Sequence, residues 1–260
     1  MIGIFDSGVG GMTVARAVET LLPDYQIIYY GDLARTPYGS KSPEAIIDYS
    51  IENTQFLLEH GAKVIIIACN SAASVASDIL RLNFTVPIFE VISPAVKRAV
   101  DTTLIGNIGI IGTRATIRSE IYDQKIKELA PQFHVFSQAC PLLVPLVEEG
   151  WIDARETKMI LRKYLSPLKQ KQIDTLVLGC THYPLLKDLI QHRMGKNRIR
   201  LIDSSIETAL TLKKYLDENS DFGHTLQRDT INRYFVSDKT TAAVDTAAKI
   251  FGRPIELQKV

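Results

Sequence analysis

Two stretches of the chain share one layout, "IIIACNSAAS" at 65–74 and "LVLGCTHYPLL" at 177–187. Each is an apolar run, a small residue, a cysteine, a hydrogen-bonding pair and then a helical pattern. In open parallel sheets, ligands bind beyond the carboxyl ends of the strands. Helix N-termini there offer free N–H groups and the positive end of a dipole. Both lower the pKa of a nearby thiol from about 8.5. Cys69 and Cys180 therefore occupy positions suited to a reactive thiol. A free cysteine is also a common core residue; the matching placement of two is what favours chemistry. Cys140, in "QACPLL", lacks the polar followers and reads as packing.

Thiols this far apart in sequence do not form a Cys-x-x-Cys redox pair. A thiol hydrolase needs one nucleophile and a histidine base. Taking a proton from one face of a stereocentre and delivering another to the opposite face needs two acid/base groups. A thiolate opposite a thiol fits that task. His182 lies in the loop that presents Cys180, where it could bond that thiol or shuttle its proton. His60, His134, His192 and His224 read as surface or satisfied core residues. Asp6, at the end of a neighbouring strand, is the counterpart beside Cys69. Glu148 and Glu149, in "PLVEEGW", read either as a solvated helix end or as an acid near the cleft. Ser7, Tyr38, the Gly39 N–H, Asn70, Ser71, Thr113, Thr116 and Thr181 stand near strand ends. Singly each is a cap or turn residue. Together they make a donor-rich site for a small carboxylate.

The positioning elements follow from apolar patterning. Strands are expected at 2–5, 26–31, 63–68, 87–92, 108–112, 134–139, 175–179, 199–203 and 234–237. They are rich in Val and Ile without clean alternation, as in strands buried on both faces. Helices are expected at 13–22, 42–61, 115–131, 153–165, 184–195 and 205–219. Ser42 is a candidate N-cap, Pro43 a first-turn residue and Gly61 a stop signal. Alternating strands and helices predict an α/β fold with mainly parallel sheets. The separation from Asp6 to Cys69 nearly repeats from Thr113 to Cys180, which suggests two similar lobes with the site in the cleft between them. The expected lobes are 1–93 plus 207–260, carrying Asp6 and Cys69, and 94–206, carrying Glu149, Cys180 and His182.

The loop "DSGVGG" starts like a dinucleotide fingerprint, but Thr13 stands at the third glycine position. Asp6 would repel a pyrophosphate. The glycines are better suited to a tight turn and close approach to a small ligand. The chain has 30 basic and 29 acidic residues, so no charge imbalance points to nucleic acid or an anionic membrane. No apolar run approaches the length of a membrane span. The start lacks a signal-peptide pattern, and three widely spaced cysteines suggest neither a disulfide framework nor a zinc site. A reduced, cytoplasmic protein without bound metal is expected.

Taken together, "FDSGVGG", "PYG", "ACNSA", "IGTRAT", "PLVEEG", "GCTHYPLL" and "FVSD" closely resemble the bacterial glutamate racemases, in order and at fitting spacing over nearly the whole chain. The resemblance implies a cofactor-independent isomerase that interconverts L- and D-glutamate for peptidoglycan. It implies Cys69 as the base for D-glutamate, assisted by Asp6, and Cys180 as the base for L-glutamate, assisted by His182. It places Glu149 near the second thiol or the substrate ammonium. Ser7, Tyr38, Gly39, Asn70, Ser71, Thr113, Thr116, Thr181 and His182 would bind substrate. The family usually has threonine where this chain has Ser71, so the hydroxyl is kept and a methyl lost. A homodimer is a further expectation of the resemblance. Nearby alternatives are an aspartate racemase and a two-lobed protein that binds an amino acid without reacting it.

Overall fold

A computed structural model describes residues 1–260 except 196, 197, 227, 229 and 230. In chain order its elements begin with β1 (Ile2–Asp6), α1 (Met12–Leu21), β2 (Ile27–Gly31), α2 (Pro43–Glu59), β3 (Val64–Ile67), α3 (Asn70–Asn83), β4 (Ile88–Glu90) and α4 (Ile92–Thr102). There follow β5 (Asn107–Gly112), α5 (Arg114–Arg118), α6 (Ile121–Leu129), β6 (His134–Ala139), α7 (Leu143–Glu148), α8 (Arg155–Gln170) and β7 (Thr175–Gly179). The chain ends with α9 (Lys187–Met194), β8 (Arg200–Asp203), α10 (Ser204–Glu218), α11 (Ser220–Thr225), β9 (Arg233–Val236), α12 (Thr241–Phe251) and β10 (Leu257–Lys259).

The strands form two parallel sheets flanked by helices. One has six strands in the order β10-β9-β2-β1-β3-β4; the other has four in the order β6-β5-β7-β8. Each sheet places its two site-bearing strands side by side. In the first, Phe5 of β1 pairs with Ile67 of β3, which brings the Ser7 and Cys69 loops together. In the second, Gly112 of β5 pairs with Gly179 of β7, so Thr113 and Cys180 leave the sheet as neighbours.

One apolar cluster spans both sheets. Ile108 and Ile110 of β5 and Val177 of β7 join the cluster that fills the first lobe. Ile111, Leu176 and Leu178 face the other way, into a second cluster beneath α8 and α9. That is the period-two alternation of a sheet covered on both sides. Helix α10 packs on both α1 and α4.

Local chemistry accounts for the element ends. Ser42 caps α2 by accepting the Ala45 N–H at 3.3 Å, with Pro43 in the first turn, as expected. The strand expected at 87–92 stops at Glu90 because its carboxylate takes the Ile92 N–H and, at 2.9 Å, the Ser93 N–H. Those bonds start α4 instead. The single helix expected over 115–131 is two helices. Glu120 adopts a left-handed conformation at φ 55° and breaks the ladder between α5 and α6.

Candidate active site

Ser7, Tyr38, Gly39, Cys69, Asn70, Ser71, Thr113, Cys180, Thr181 and His182 line one small cavity between the lobes. Both thiols are 5% exposed. The cavity holds about 20 Å³, room for roughly one water. Larger concavities of about 560 Å³ and 430 Å³ lie elsewhere, beside Trp151 and against α1 and α10. Size therefore does not locate the chemistry here; the convergence of thiols, histidine and hydroxyls does.

The two cysteine loops differ in detail. Cys69 is the N-cap residue of α3. Cys180 is followed by a short 3-10 turn, Tyr183–Leu186, and α9 starts only at Lys187. The expected lowering of the Cys69 pKa by its helix terminus does not prevail. Burial pushes the thiol up, the Asp6 charge adds to it, and the N–H groups of Ala72 and Ser7 offset only part, leaving it at about 12. The Cys69 thiol lies 3.6 Å from the Ser7 hydroxyl. Cys140 is fully buried in the second apolar cluster, and its thiol is pushed up by burial.

Asp6 stands behind the cavity wall. Its carboxylate accepts the Gly8 N–H at 2.9 Å and the Thr181 hydroxyl at 3.3 Å. Burial raises its pKa against the opposing pull of His182 and these donors. One carboxylate of the first lobe is thus bonded to the loop that carries the second thiol.

His182 Nδ1 lies 3.9 Å from the Cys180 sulfur, and Nε2 lies 3.2 Å from Glu148 Oε1. Burial disfavours the charged imidazole, but the Cys180 thiol and the Glu148 carboxylate outweigh it and hold its pKa at about 10. The carboxylate bonded to His182 is that of Glu148 and not that of Glu149. Val144 lines the cavity, and residue 148 is one turn further along the same face of α7. Glu149 follows the helix end and is exposed. The spacing of Val144 and Glu148 was the sequence signal for this choice. Replacing Glu148 with glutamine should move the His182 titration below about 10, as followed by nitrogen NMR of the ring, because the histidine loses an anionic partner. Glu149→Gln should leave it in place.

Two other candidates do not present their hydroxyls to the cavity. The Tyr38 hydroxyl is turned from the cavity: it donates to Asp32 and accepts from Asn53 at 3.0 Å. Asp32 also holds Arg35 at 2.6 Å and Ser237 at 3.0 Å, so these bonds pin the loop that roofs the site. Thr116 is buried behind Thr113, its hydroxyl 3.1 Å away, and does not line the cavity. Thr36, Pro37 and Val144 line it without having been singled out. Pro37 and Val144 gave no chemical signal because neither side chain carries a polar group. Across the mouth, Ser71 and Thr113 share a 2.8 Å hydrogen bond. Asn70 accepts from Tyr122 at 2.7 Å, while its buried Nδ2 has no hydrogen-bond partner among the described residues.

The glycine loop approaches protein. A Cβ on Gly10 would lie 2.4 Å from His182 Nδ1, and one on Gly11 would lie 2.3 Å from Asp6 Cβ. The glycines let the first lobe press its backbone against the second lobe's histidine.

Known proteins resemble this chain over most of its length. The sequence pattern of the family described as Asp/Glu/Hydantoin racemase matches residues 12–210. A glutamate racemase from Persephonella marina is 46% identical over 259 residues, spanning 100% of this chain and 96% of that protein. The crystal structure of glutamate racemase isoform RacE1 from Bacillus anthracis superposes with a TM-score of 0.94 at 35% identity, covering 100% of this chain and 97% of that one. Glutamate racemase from Francisella tularensis in complex with D-glutamate gives 0.90 at 33% identity, covering 100% and 96%.

Proposed function

The chain belongs to the Asp/Glu/Hydantoin racemase family, and from that premise we propose that it is an isomerase interconverting L- and D-glutamate by a two-thiol mechanism. The observation that carries this reading is the convergence of Cys69 and Cys180, from different lobes, on one buried cavity. One thiolate removes the α-proton: the Cα–H bond breaks, an S–H bond forms, and the electron pair spreads into the α-carboxylate. The opposite thiol then gives its proton to the other face. Cys180 serves L-glutamate with His182, and Cys69 serves D-glutamate with Asp6. No cofactor takes part.

An α-proton beside a carboxylate is a very weak acid, so the site must stabilise the developing carbanion. A buried cavity with aimed donors supplies that stabilisation. The unpartnered Asn70 amide and the hydroxyls of Ser71, Thr113 and Ser7 are the available donors. A cavity of about 20 Å³ is too small for glutamate, so the lobes, divided as 1–93 with 207–260 and 94–206, open to admit substrate and close for reaction. The Ser71–Thr113 hydrogen bond then yields to the substrate carboxylate. Glu148 keeps the His182 ring oriented toward Cys180. The product feeds peptidoglycan synthesis.

Incubation of the protein with L-glutamate in D₂O, without added cofactor, tests the reading. D-glutamate carrying α-deuterium is the expected product. Folded protein that binds glutamate but leaves it L and unlabelled would mark a binding protein. Faster turnover of aspartate in the same assay would assign the activity to that amino acid.

A further inference from the structure

Thr13 has no part in the mechanism above and does not line the cavity. Its hydroxyl lies 3.1 Å from the Thr181 carbonyl, 2.9 Å from the Gly10 carbonyl and 2.9 Å from the Ser205 hydroxyl. A hydroxyl carries one proton and two lone pairs. The Gly10 carbonyl already accepts the Thr13 backbone N–H at 3.0 Å. The Thr181 carbonyl is in a different position. In a 3-10 turn its donor would be the N–H three residues on, and that residue is Pro184, which has none. The chain therefore needs a donor from outside the loop for a carbonyl in a buried residue. Thr13 supplies it from the first turn of α1, while Ser205, at the start of α10, holds the same hydroxyl from the far side.

We propose that Thr13 is a positioning residue for His182: its hydroxyl, braced by Ser205, fixes the Thr181–His182 peptide from which the imidazole reaches Cys180. The Thr181 carbonyl and the His182 nitrogen belong to one planar peptide unit. Rotation of that plane swings the ring at its 3.9 Å contact with the thiol. The contact also crosses from the first lobe to the second, so the first turn of α1, just after the glycine loop, holds the machinery of the opposite thiol.

This inference rests on the racemase reading, with Cys180 serving L-glutamate. Thr13→Val removes the hydroxyl and keeps the shape; Thr13→Ser keeps the hydroxyl. In Thr13→Val, kcat/KM should fall roughly tenfold to a hundredfold in both directions, since a displacement of about 1 Å costs that much. Only the step at Cys180 becomes slow. The α-deuterium isotope effect should therefore rise with labelled L-glutamate and fall with labelled D-glutamate. General loosening of the cavity would slow both steps and leave the two isotope effects in step. Thr13→Ser should restore both, and Ser205→Ala should show a smaller change in the same direction, which keeps the test open if Thr13→Val fails to fold. Nitrogen NMR of the His182 ring gives a readout independent of turnover: its titration should move in Thr13→Val and return in Thr13→Ser. An unmoved His182 titration, or isotope effects that stay matched, would overturn the role of Thr13. If wild-type protein does not racemise glutamate, the functional reading fails and the His182 titration alone decides the role of Thr13.

Discussion

Replacing either Cys69 or Cys180 with alanine should remove glutamate racemisation, a loss of about a hundredfold to ten-thousandfold or more for an acid/base group that contacts the reacting atom. Neither thiol has a substitute. The cavity's other titratable side chains are Tyr38, whose hydroxyl is committed to Asp32, and His182, whose ring nitrogens face the Cys180 sulfur and the Glu148 carboxylate. Cys140→Ala is the control. That thiol is buried in the second apolar cluster and faces a backbone carbonyl at 3.6 Å, so the substitution should cost some stability and leave activity in place. Circular dichroism of each enantiomer measures turnover, and thermal unfolding monitors the fold. An active Cys180→Ala variant would end the two-thiol assignment.

The same thiol predicts a pH profile. Burial, and then the Asp6 charge, push the Cys69 pKa up to about 12. Below that value the thiolate fraction grows about tenfold per pH unit, so kcat/KM for D-glutamate should rise between about pH 7 and 9. Enantiomers are equally stable in water, so kcat/KM for L-glutamate must rise in parallel. A profile flat over that range would show that the Cys69 proton is not the one being lost.

Gly10→Ala should be nearly as damaging, though the residue has no functional group. Its Cβ would stand 2.4 Å from His182 Nδ1 and 2.6 Å from Thr181 Oγ1. Neither neighbour is free to yield. Thr181 is bonded to Asp6 at 3.3 Å, and His182 to Glu148 at 3.2 Å. The φ of Gly10 is not positive, so the requirement is space and not backbone conformation. Overpacking of this kind costs about 1–3 kcal/mol of stability. The larger effect is on turnover, expected to drop about a hundredfold as the ring leaves Cys180. Gly8→Ala is the comparison. There the new Cβ meets Thr36 Oγ1 at 3.3 Å and Glu148 Oε1 at 3.9 Å, contacts that small shifts relieve. Its loss should be several-fold smaller. Equal activity in the two variants would refute the argument from space.

Much of this protein could be read from its chain alone. Val- and Ile-rich runs alternating with amphipathic segments dictate parallel strands and crossover helices, because only that arrangement buries both faces of such strands. The matched cysteine loops follow from the same order, since a residue just after a parallel strand is delivered to the ligand-binding edge of the sheet. Cys69, Cys180, His182 and Asn70 were therefore legible as site candidates. What tertiary structure alone decided is which groups face one another and in what dielectric. It bonded His182 to Glu148 and not to Glu149, because the face of α7 depends on where the helix starts. It turned the Tyr38 hydroxyl to Asp32 and placed Thr116 behind Thr113. It set the glycine loop against His182 and reversed the expected direction of the Cys69 pKa. A helix terminus is visible in sequence, but the burial that overrides it depends on the other lobe and so exists only once both are packed.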